Sequence, residues 1–494
     1  MFQGIGKRVF AAALAVIAVR LAAQDLKDDG PLLTLNDAIR LALANNHDLR
    51  VVSYNRGIAQ GGWLTAMGQF DPEIVVNRSE SDQRWLPEIG ASDLYEVKTQ
   101  TYAADLQGQT PWGLSYTIGA QATNQGDTYD AFSSDFNTFG GINVTQPLLR
   151  GFGLAANLVN VRIAKADRRI SEWQYRQAAI DTVTNVVIAY SNLVAAHAGL
   201  RIARQVQALA GTLVSDNEKG YRIGSYSKSD VVQAQASAAA REEGILLAER
   251  AVVDAEIQLR ELIGQDAFPP DQPEYRLELL APAADLVVRP EADLRTALAL
   301  RPDYQEARLG LDKNRATVRG ARNGLLPEID FVGGYGYNGL SSRFSAARRM
   351  IGDRDQPSYS AGLQLVLPMT NAQARGRARI ARLQMAAAEE SLRGLEADIA
   401  LSLAEAGGQI ETTRARVKAD RTAYNLAKQA LHDEVERFHA GRSTTFVVLQ
   451  LQENLASAEN SVYDALADER RAEAEYEREL GATLRRHHIS LEEN

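Results

Sequence analysis

The strongest constraint on this chain is that its sequence is written twice. "YRIGSYSKSDVVQAQ" (Tyr221 to Gln235) and "FHAGRSTTFVVLQLQ" (Phe438 to Gln452) share an aromatic, a Gly three residues later, a hydroxyl-rich bend and a helix-like run closing on Gln-x-Gln. Two further anchors keep the same order: "FDPEI" around Pro72 matches "LLPEI" around Pro327, and "VTQPLL" around Pro147 matches "LVLPMT" around Pro368. The halves differ mainly between their two prolines, 75 positions apart in the first and 41 in the second. From Pro147 to Gly224 is 77 positions and from Pro368 to Gly441 is 73. Such a chain folds as two versions of one unit, the first with an insertion among its strands.

Within each unit the hydrophobic period changes. A helix opens it, at "LTLNDAIRLALANN" and at "EADLRTALALRPDYQEARLGLDKNRATVRGARNGL"; Thr34 stands ready to cap the first, with Asp37 at the capping-box position. After the Pro-Glu-Ile anchor, alternation takes over. "EIDFVGGYGYN" puts Ile329, Phe331, Tyr335 and Tyr337 on one face and Asp330, Gly334, Gly336 and Asn338 on the other. "YSAGLQLVL" repeats the pattern, and Leu114, Tyr116, Ile118, Ala120 and Ala122 do so in the insertion. These are strands with one oily side and one small or polar side, the alternation of a barrel in lipid with a wet interior. The first half accommodates either four strands or a two-stranded hairpin with a long loop, and the second half two strands.

Next, Leu154 to about Gly220 and Ala372 to Phe438 contain no Pro. Val183, Val186, Val187, Tyr190 and Val194 keep one side apolar, the stripe of a very long helix. Each bend follows such a helix and leads into another, so it is the tip of a helical hairpin. Gly224 and Gly441 are the expected left-handed stops, and Ser229 or Ser443 the following N-caps.

The organisation that follows is an export signal over 1–23 and a first repeat over 24–264, with strands about 73–147 and a helical hairpin about 154–262. A Pro-rich connector occupies 265–290. The second repeat covers 291–486, with strands about 328–367 and a hairpin about 372–484, and a frayed tail spans 487–494. The signal reading rests on Lys7 and Arg8 before "VFAAALAVIAV" and on small residues at Ala22 and Ala23. Beyond it no stretch approaches the roughly twenty apolar residues of a membrane-spanning helix, so a membrane would be met by strands.

Composition narrows the function classes. The net charge is −9, and removal of residues 1–23, which hold Lys7, Arg8 and Arg20 and no acid, lowers it to −12. No basic stripe is present, so nucleic acid is not an expected partner. There is no Cys, hence no disulfide and no thiol chemistry. The six His show no metal-ligand spacing, and no catalytic motif of hydrolases, zincins or P-loop enzymes occurs. "GFGLAA" at Gly151 to Ala156 fits a dinucleotide fingerprint, but it opens a very long helix where a short crossover would be needed. Its glycines suit a turn from strand to helix better. No enzyme activity, cofactor or metal is expected.

The residues "LTLNDAIRLALANN", "FDPEI", "TQPLLRGFG", "YRIGSYSKSDVVQAQA", "LLPEID", "LVLPM" and "FHAGRSTTFVVLQLQ", in duplicated order, resemble the TolC-like outer-membrane efflux proteins over roughly Leu33 to Arg486. The resemblance implies an α+β membrane protein, a homotrimer whose strands form one outer-membrane β-barrel continuous with a long periplasmic α-helical barrel. It implies the channel component of a tripartite efflux or type I secretion system in a Gram-negative bacterium, a passive duct working with a periplasmic adaptor and an inner-membrane pump. The implied adaptor-docking tip is Tyr221, Arg222, Gly224, Ser225, Ser227, Phe438, Gly441, Arg442 and Ser443. The implied aperture positions are Asp230, Gln233, Val447 and Gln450, of which only Asp230 has the acidic character of the closest TolC pattern. The barrel-to-tunnel turn would use Pro72, Pro147, Gly151, Gly153, Pro327 and Pro368. Independently, four to six strands cannot close a pore, so several chains would share a barrel. A periplasmic coiled-coil scaffold is the alternative; it would share the helices but has no use for oily strands.

Overall fold

The computed structural model describes residues 32–85, 95–128, 131, 133, 135–265, 275–278 and 287–491. The expected signal at 1–23 and most of the 265–290 connector therefore lie outside the described residues. The first half runs β1 (Leu32–Leu33), α1 (Leu35–Asn45), α2 (His47–Met67), β2 (Glu73–Trp85), β3 (Tyr95–Gln109), β4 (Ser115–Asp127), β5 (Asp135–Pro147), α3 (Val159–Arg222) and α4 (Lys228–Leu262). The second runs β6 (Arg276–Leu277), α5 (Pro290–Leu300), α6 (Pro302–Asn323), β7 (Glu328–Ser341), α7 (Phe344–Asp353), β8 (Pro357–Val366), α8 (Ala372–His439) and α9 (Thr445–Leu480), then a short turn at Thr483–Arg486. Two compact units result: Met1–Tyr54, Trp173–Gln305 and Leu395–Asn494 form one, and Asn55–Glu172 with Glu306–Gly394 the other.

In the first unit the apolar stripe of α3 is the core. Val183, Val186, Val187, Tyr190 and Val194 are all buried, against Ala38, Ile39 and Ala42 of α1 and Leu259 of α4. Burying these aliphatic side chains supplies about 1.5–3 kcal/mol each. The same stripe gives α3 one window long and apolar enough to cross a membrane by length and composition, which corrects the expectation that no such stretch exists; its apolar face is spent on this core. The Tyr190 hydroxyl lies 3.0 Å from the Leu33 carbonyl and accepts from the Glu278 amide at 3.0 Å, and burial pushes its phenol up to about 12. It thereby ties α3 to the chain around β1 and β6, which pair in parallel.

Two expectations are corrected here. The opening helix expected over "EADLRTALALRPDYQEARLGLDKNRATVRGARNGL" is two helices, and in the first half a second helix, α2, follows the expected one, because Asn46 and Arg301 take extended ψ values of 126° and 123°. Pro302 forces this at Arg301 by excluding the helical region for the residue before it. At Asn46 the side chain does so, its Oδ1 accepting the Leu49 amide at 2.9 Å as the cap of α2. The described part of the tail, 487–491, is also not simply frayed: Ile489 and Leu491 pack on the α1/α3 core, and the Ile489 amide reaches the Leu484 carbonyl at 2.8 Å.

In the second unit six strands make one antiparallel sheet ordered β2-β3-β4-β5-β7-β8. The insertion is thus an extra hairpin, and the first half carries four strands. Register places Ile74, Leu106, Ile118, Ile142, Tyr335 and Tyr359 on one face. The other face carries Asn77, Thr101, Thr123, Asn137, Asn338 and Ser360. Much of the oily face stays open: Ile74, Val76, Tyr359 and Leu363, on its two edge strands, are each more than 70 % exposed. Helix α7, between β7 and β8, is a feature that strand alternation did not foretell.

Candidate functional site

Both hairpin tips stop their first helix in the same way. Gly224 (φ 81°) and Gly441 (φ 72°) are left-handed. At the first, Ser225 N reaches Gly220 O at 2.8 Å and Gly224 N reaches Tyr221 O at 3.0 Å. At the second, Arg442 N reaches Arg437 O and Gly441 N reaches Phe438 O, both at 2.9 Å. These paired bonds satisfy the orphan carbonyls of α3 and α8, and they need positive φ. The expected N-caps Ser229 and Ser443 are displaced. Ser227 caps α4 in a full capping box with Asp230, so the first bend is two residues shorter than expected, and Thr444 stands at the cap position of α9 without a side-chain cap bond, so the second is one residue longer.

The two tips are alike in backbone and unlike in packing. Phe438 is buried while its sequence counterpart Tyr221 is half exposed. The partner of Phe438 is Tyr226, whose ring stacks on it at 5.4 Å and 11°. Tyr226 occupies the space above Gly220, where a Cβ would fall 2.0 Å from the ring. With Leu213, Leu431, Val448 and Leu449 this makes a small tip core. Beneath it Asn217, fully buried, donates to the Asp230 carbonyl at 3.1 Å and to Thr445 Oγ1 at 2.9 Å, joining α3, α4 and α9. Sequence reading missed Asn217, Gly220 and Tyr226; the Gly three residues after a polar side chain late in a long helix was the available signal.

The outer surface of the tip carries Tyr221, Arg222, Gly224, Ser225 and Ser227 from one bend and Gly441 and Arg442 from the other, all exposed. Ile223, 79 % exposed, joins them. Ser443 turns inward onto Glu434. Among the aperture positions, Gln233, Val447 and Gln450 are exposed. The Asp230 carboxylate is engaged by the Ser227 amide at 2.9 Å and hydroxyl at 2.7 Å, so its charge serves the cap of α4.

A second duplicated joint lies in the same unit. Gly264 (φ 69°) and Gly481 (φ 70°) end α4 and α9 with the same paired bonds. Each sits against the break of an opening helix pair: a Cβ on Gly264 would meet Asn45 O at 2.6 Å, and one on Gly481 would meet Leu300 C at 2.9 Å. Asn46 Nδ2 donates to Leu262 O at 3.1 Å, and Arg301 Nη1 to Glu479 O at 3.1 Å.

In the other unit the strands turn into helices at Pro147 to Asn157. Gly151 (φ 85°) and Gly153 (φ 87°) are both left-handed. Asn323 Oδ1 accepts Gly151 N at 2.8 Å, and Trp112 O accepts Gly153 N at 2.9 Å. Asn157 Nδ2 donates to the carbonyls of Gly151 and Gly153 at 2.7 and 3.0 Å. The glycine amides that a nucleotide phosphate would need are already used, and β5 has only antiparallel neighbours, so the "GFGLAA" motif is a turn. Pro72 and Pro327 lead into β2 and β7, Pro147 ends β5, and Pro368 follows β8, before the Asn371 side chain donates to Leu325 O at 3.2 Å. No cluster of metal-ligating side chains occurs among the described residues.

Comparison with known proteins agrees with this duplicated architecture. The family described as "Outer membrane efflux protein" matches residues 38–265 and 294–482, that is, both repeats. The outer membrane protein TolC of Vibrio cholerae serotype O1 is 23 % identical over 408 residues, 80 % of this chain and 87 % of that protein. The outer membrane efflux protein BepC of Brucella suis biovar 1 is 23 % identical over 340 residues, 68 % of this chain and 71 % of its own. Among solved structures, the outer-membrane channel OprN superposes with a TM-score of 0.69 at 19 % identity, covering 90 % of this chain and 89 % of OprN. The Campylobacter jejuni CmeC outer membrane channel does so with 0.66 at 17 %, covering 91 % and 86 %. A scaffold without membrane strands is thereby set aside, and the family match over both halves places the chain: it belongs to the outer membrane efflux protein family, in the outer membrane of Gram-negative bacteria.

Proposed function

We propose that three copies of this chain form one exit duct for a tripartite efflux or type I secretion system. The observation that carries this is the open sheet. Its edge strands β2 and β8 have no second neighbour among the described residues, and one of its faces is oily. Unpaired backbone is intolerable in lipid, so the edges need partners. With five antiparallel steps between them, β8 of one copy meets β2 of the next in antiparallel sense. Three six-stranded sheets make eighteen strands, a number at which barrels leave an aqueous channel. The polar face of Asn77, Thr101, Asn137 and Asn338 then lines that channel.

Nothing in the chain supplies energy, so transport is driven by an inner-membrane pump, and the duct opens when a periplasmic adaptor binds the tips. The exposed Tyr221, Arg222, Ile223 and Arg442 are the surface it would read. The Asn217 contacts and the Tyr226–Phe438 stack hold the hairpins of one copy together until then. Reconstitution into planar bilayers tests the reading: discrete, water-filled conductance is expected, larger once the tips are loosened. A well-folded oligomer that stays silent in both states would overturn it.

A further inference from the structure

We infer that α7 is an interfacial anchor whose arginines hold phosphate groups of the outer-leaflet lipid. The inference rests on the outer-membrane placement and on neither conduction nor adaptor docking. Helix α7 lies on the oily face of the sheet, in a seat made for it. Ala347 is fully buried, and Thr138, 2 % exposed, places its hydroxyl 3.2 Å from the Ala347 carbonyl. Gly339 and Gly140 leave the space: a Cβ on the first would fall 2.1 Å from Ala347 O, and on the second 2.9 Å from Ile351 Cγ2. Phe344 packs on Phe136 at 5.8 Å. The contact face is thus Phe344, Ala347 and Ile351, at helical spacing.

The position of that seat along the strands is equally specific. Thr138 and Gly339 stand in the register row of Ala122 and Tyr102. On the same face of the adjoining strands this row is where the apolar band ends: Arg78 pairs with Tyr102, and its guanidinium stacks over that ring at 5.7 Å. Beyond it, Glu80, Asp82 and Arg84 of β2 and Glu96 and Lys98 of β3 are polar. The end in question is opposite the proline turns that lead to the helices, so it faces the outer leaflet. With its apolar side spent on the sheet, α7 sits at the level where the apolar band gives way to polar surface, which for strands in lipid is the headgroup level.

Its other side is cationic. Arg343, Arg348, Arg349 and Arg354 are exposed, against only Asp353 and Asp355 in the same stretch. Guanidinium groups match phosphate oxygens in paired hydrogen bonds and are weakly hydrated. The outer leaflet of a Gram-negative outer membrane is built from lipid A, whose phosphates sit at the headgroup level, the level inferred for α7. Arginines flanking a helix seated on the lipid-facing surface complement that charge, whereas a soluble protein partner would have to displace lipid to reach them.

The test uses the full-length protein purified in non-ionic detergent. It is titrated with bisphosphorylated lipid A, with dephosphorylated lipid A and with inorganic phosphate, and bound lipid is read by native mass spectrometry. Arg343→Gln/Arg348→Gln/Arg349→Gln/Arg354→Gln is expected to need roughly tenfold or more lipid A for half-occupancy, and dephosphorylated lipid A is expected to bind the parent equally weakly. Inorganic phosphate is expected not to compete at equal concentration. If the fourfold variant does not fold, Arg348→Gln/Arg349→Gln decides, with Arg348→Lys/Arg349→Lys expected to restore most of the binding. Unchanged affinity in the Gln variants, or equal affinity for the two lipid A forms, would overturn the inference. Conductance in bilayers without lipid A is expected to be the same for parent and variants, which separates this result from any failure of the channel reading.

Discussion

Four glycines with nearly the same backbone are expected to tolerate a side chain differently. Gly224 and Gly441 have nothing within 4 Å of an added Cβ, so Gly→Ala there meets only the left-handed penalty, about 1–2 kcal/mol. Gly264 and Gly481 meet backbone atoms at 2.6 and 2.9 Å, and their Ala variants are expected to lose clearly more in thermal unfolding; equal losses at all four would contradict the joint described above. Val at Gly224 or Gly441 resists positive φ more strongly, and it is expected to abolish assembly with the adaptor while leaving membrane insertion intact. Normal export by both variants would count against the tip as docking site. Glu477 is a third case. Burial raises its carboxyl to about 7, Arg486 opposing, Glu473 assisting and Arg470 opposing, while burial lowers the neighbouring His487; Glu278 faces the same cavity. A folded pKa above the ordinary 4.5 means that the Glu477 contribution is fully present below about pH 4.5 and is lost as pH rises through about 7. His487 acts in the opposite sense, its contribution being present above 6.5 and lost as pH falls. Glu477→Gln is therefore expected to gain on the order of 1–2 kcal/mol over the parent between pH 5 and pH 8, read from paired denaturation curves; parallel curves would refute it.

At the scale of elements, the tip is held by few contacts and is the place where small changes matter. Asn217→Ala leaves the Thr445 hydroxyl and the Asp230 carbonyl without their buried donor, a loss of about 1–3 kcal/mol concentrated where α3, α4 and α9 meet. It is expected to raise single-channel conductance without unfolding the helices, and a variant with the parent's conductance would show that Asn217 is only structural. Much of this was legible beforehand. The stripe Val183, Val186, Val187, Tyr190 and Val194 spelled out α3 and its buried side, and the two Tyr/Phe-x-x-Gly bends spelled out the tips. Tyr226 was not legible, because nothing local distinguishes a ring that folds back over Gly220 from one that points away. Helix α7 was missed for a related reason: its apolar residues Phe344, Ala347 and Ile351 are too few to compete with the alternation on either side.

For the whole molecule, the open sheet makes the proposed oligomer a matter of backbone chemistry. The chain has no Cys, which makes it a clean background for cross-linking. Pairs such as Val76→Cys with Leu363→Cys or Leu365→Cys place thiols on the oily sides of β2 and β8, and mild oxidation is expected to trap a species of three chains. Only monomers or open ladders across the whole scan would defeat the shared barrel. The count of six strands was open in the sequence, since "VKTQTYAADLQGQ" and "LSYTIGAQATN" read equally well as a hairpin or as part of a long loop. Pairing of β3 with both β2 and β4 decided it.

What the sequence determined by itself is the duplicated order of elements and the face each presents, because periodicity, proline and glycine act within a few residues of one another. What only the tertiary structure decided is which groups meet across long separations: Asn217 with Thr445, Asn46 with Leu262, Gly339 with Ala347. Such contacts depend on register and close packing between distant segments, and no local pattern of residues encodes them.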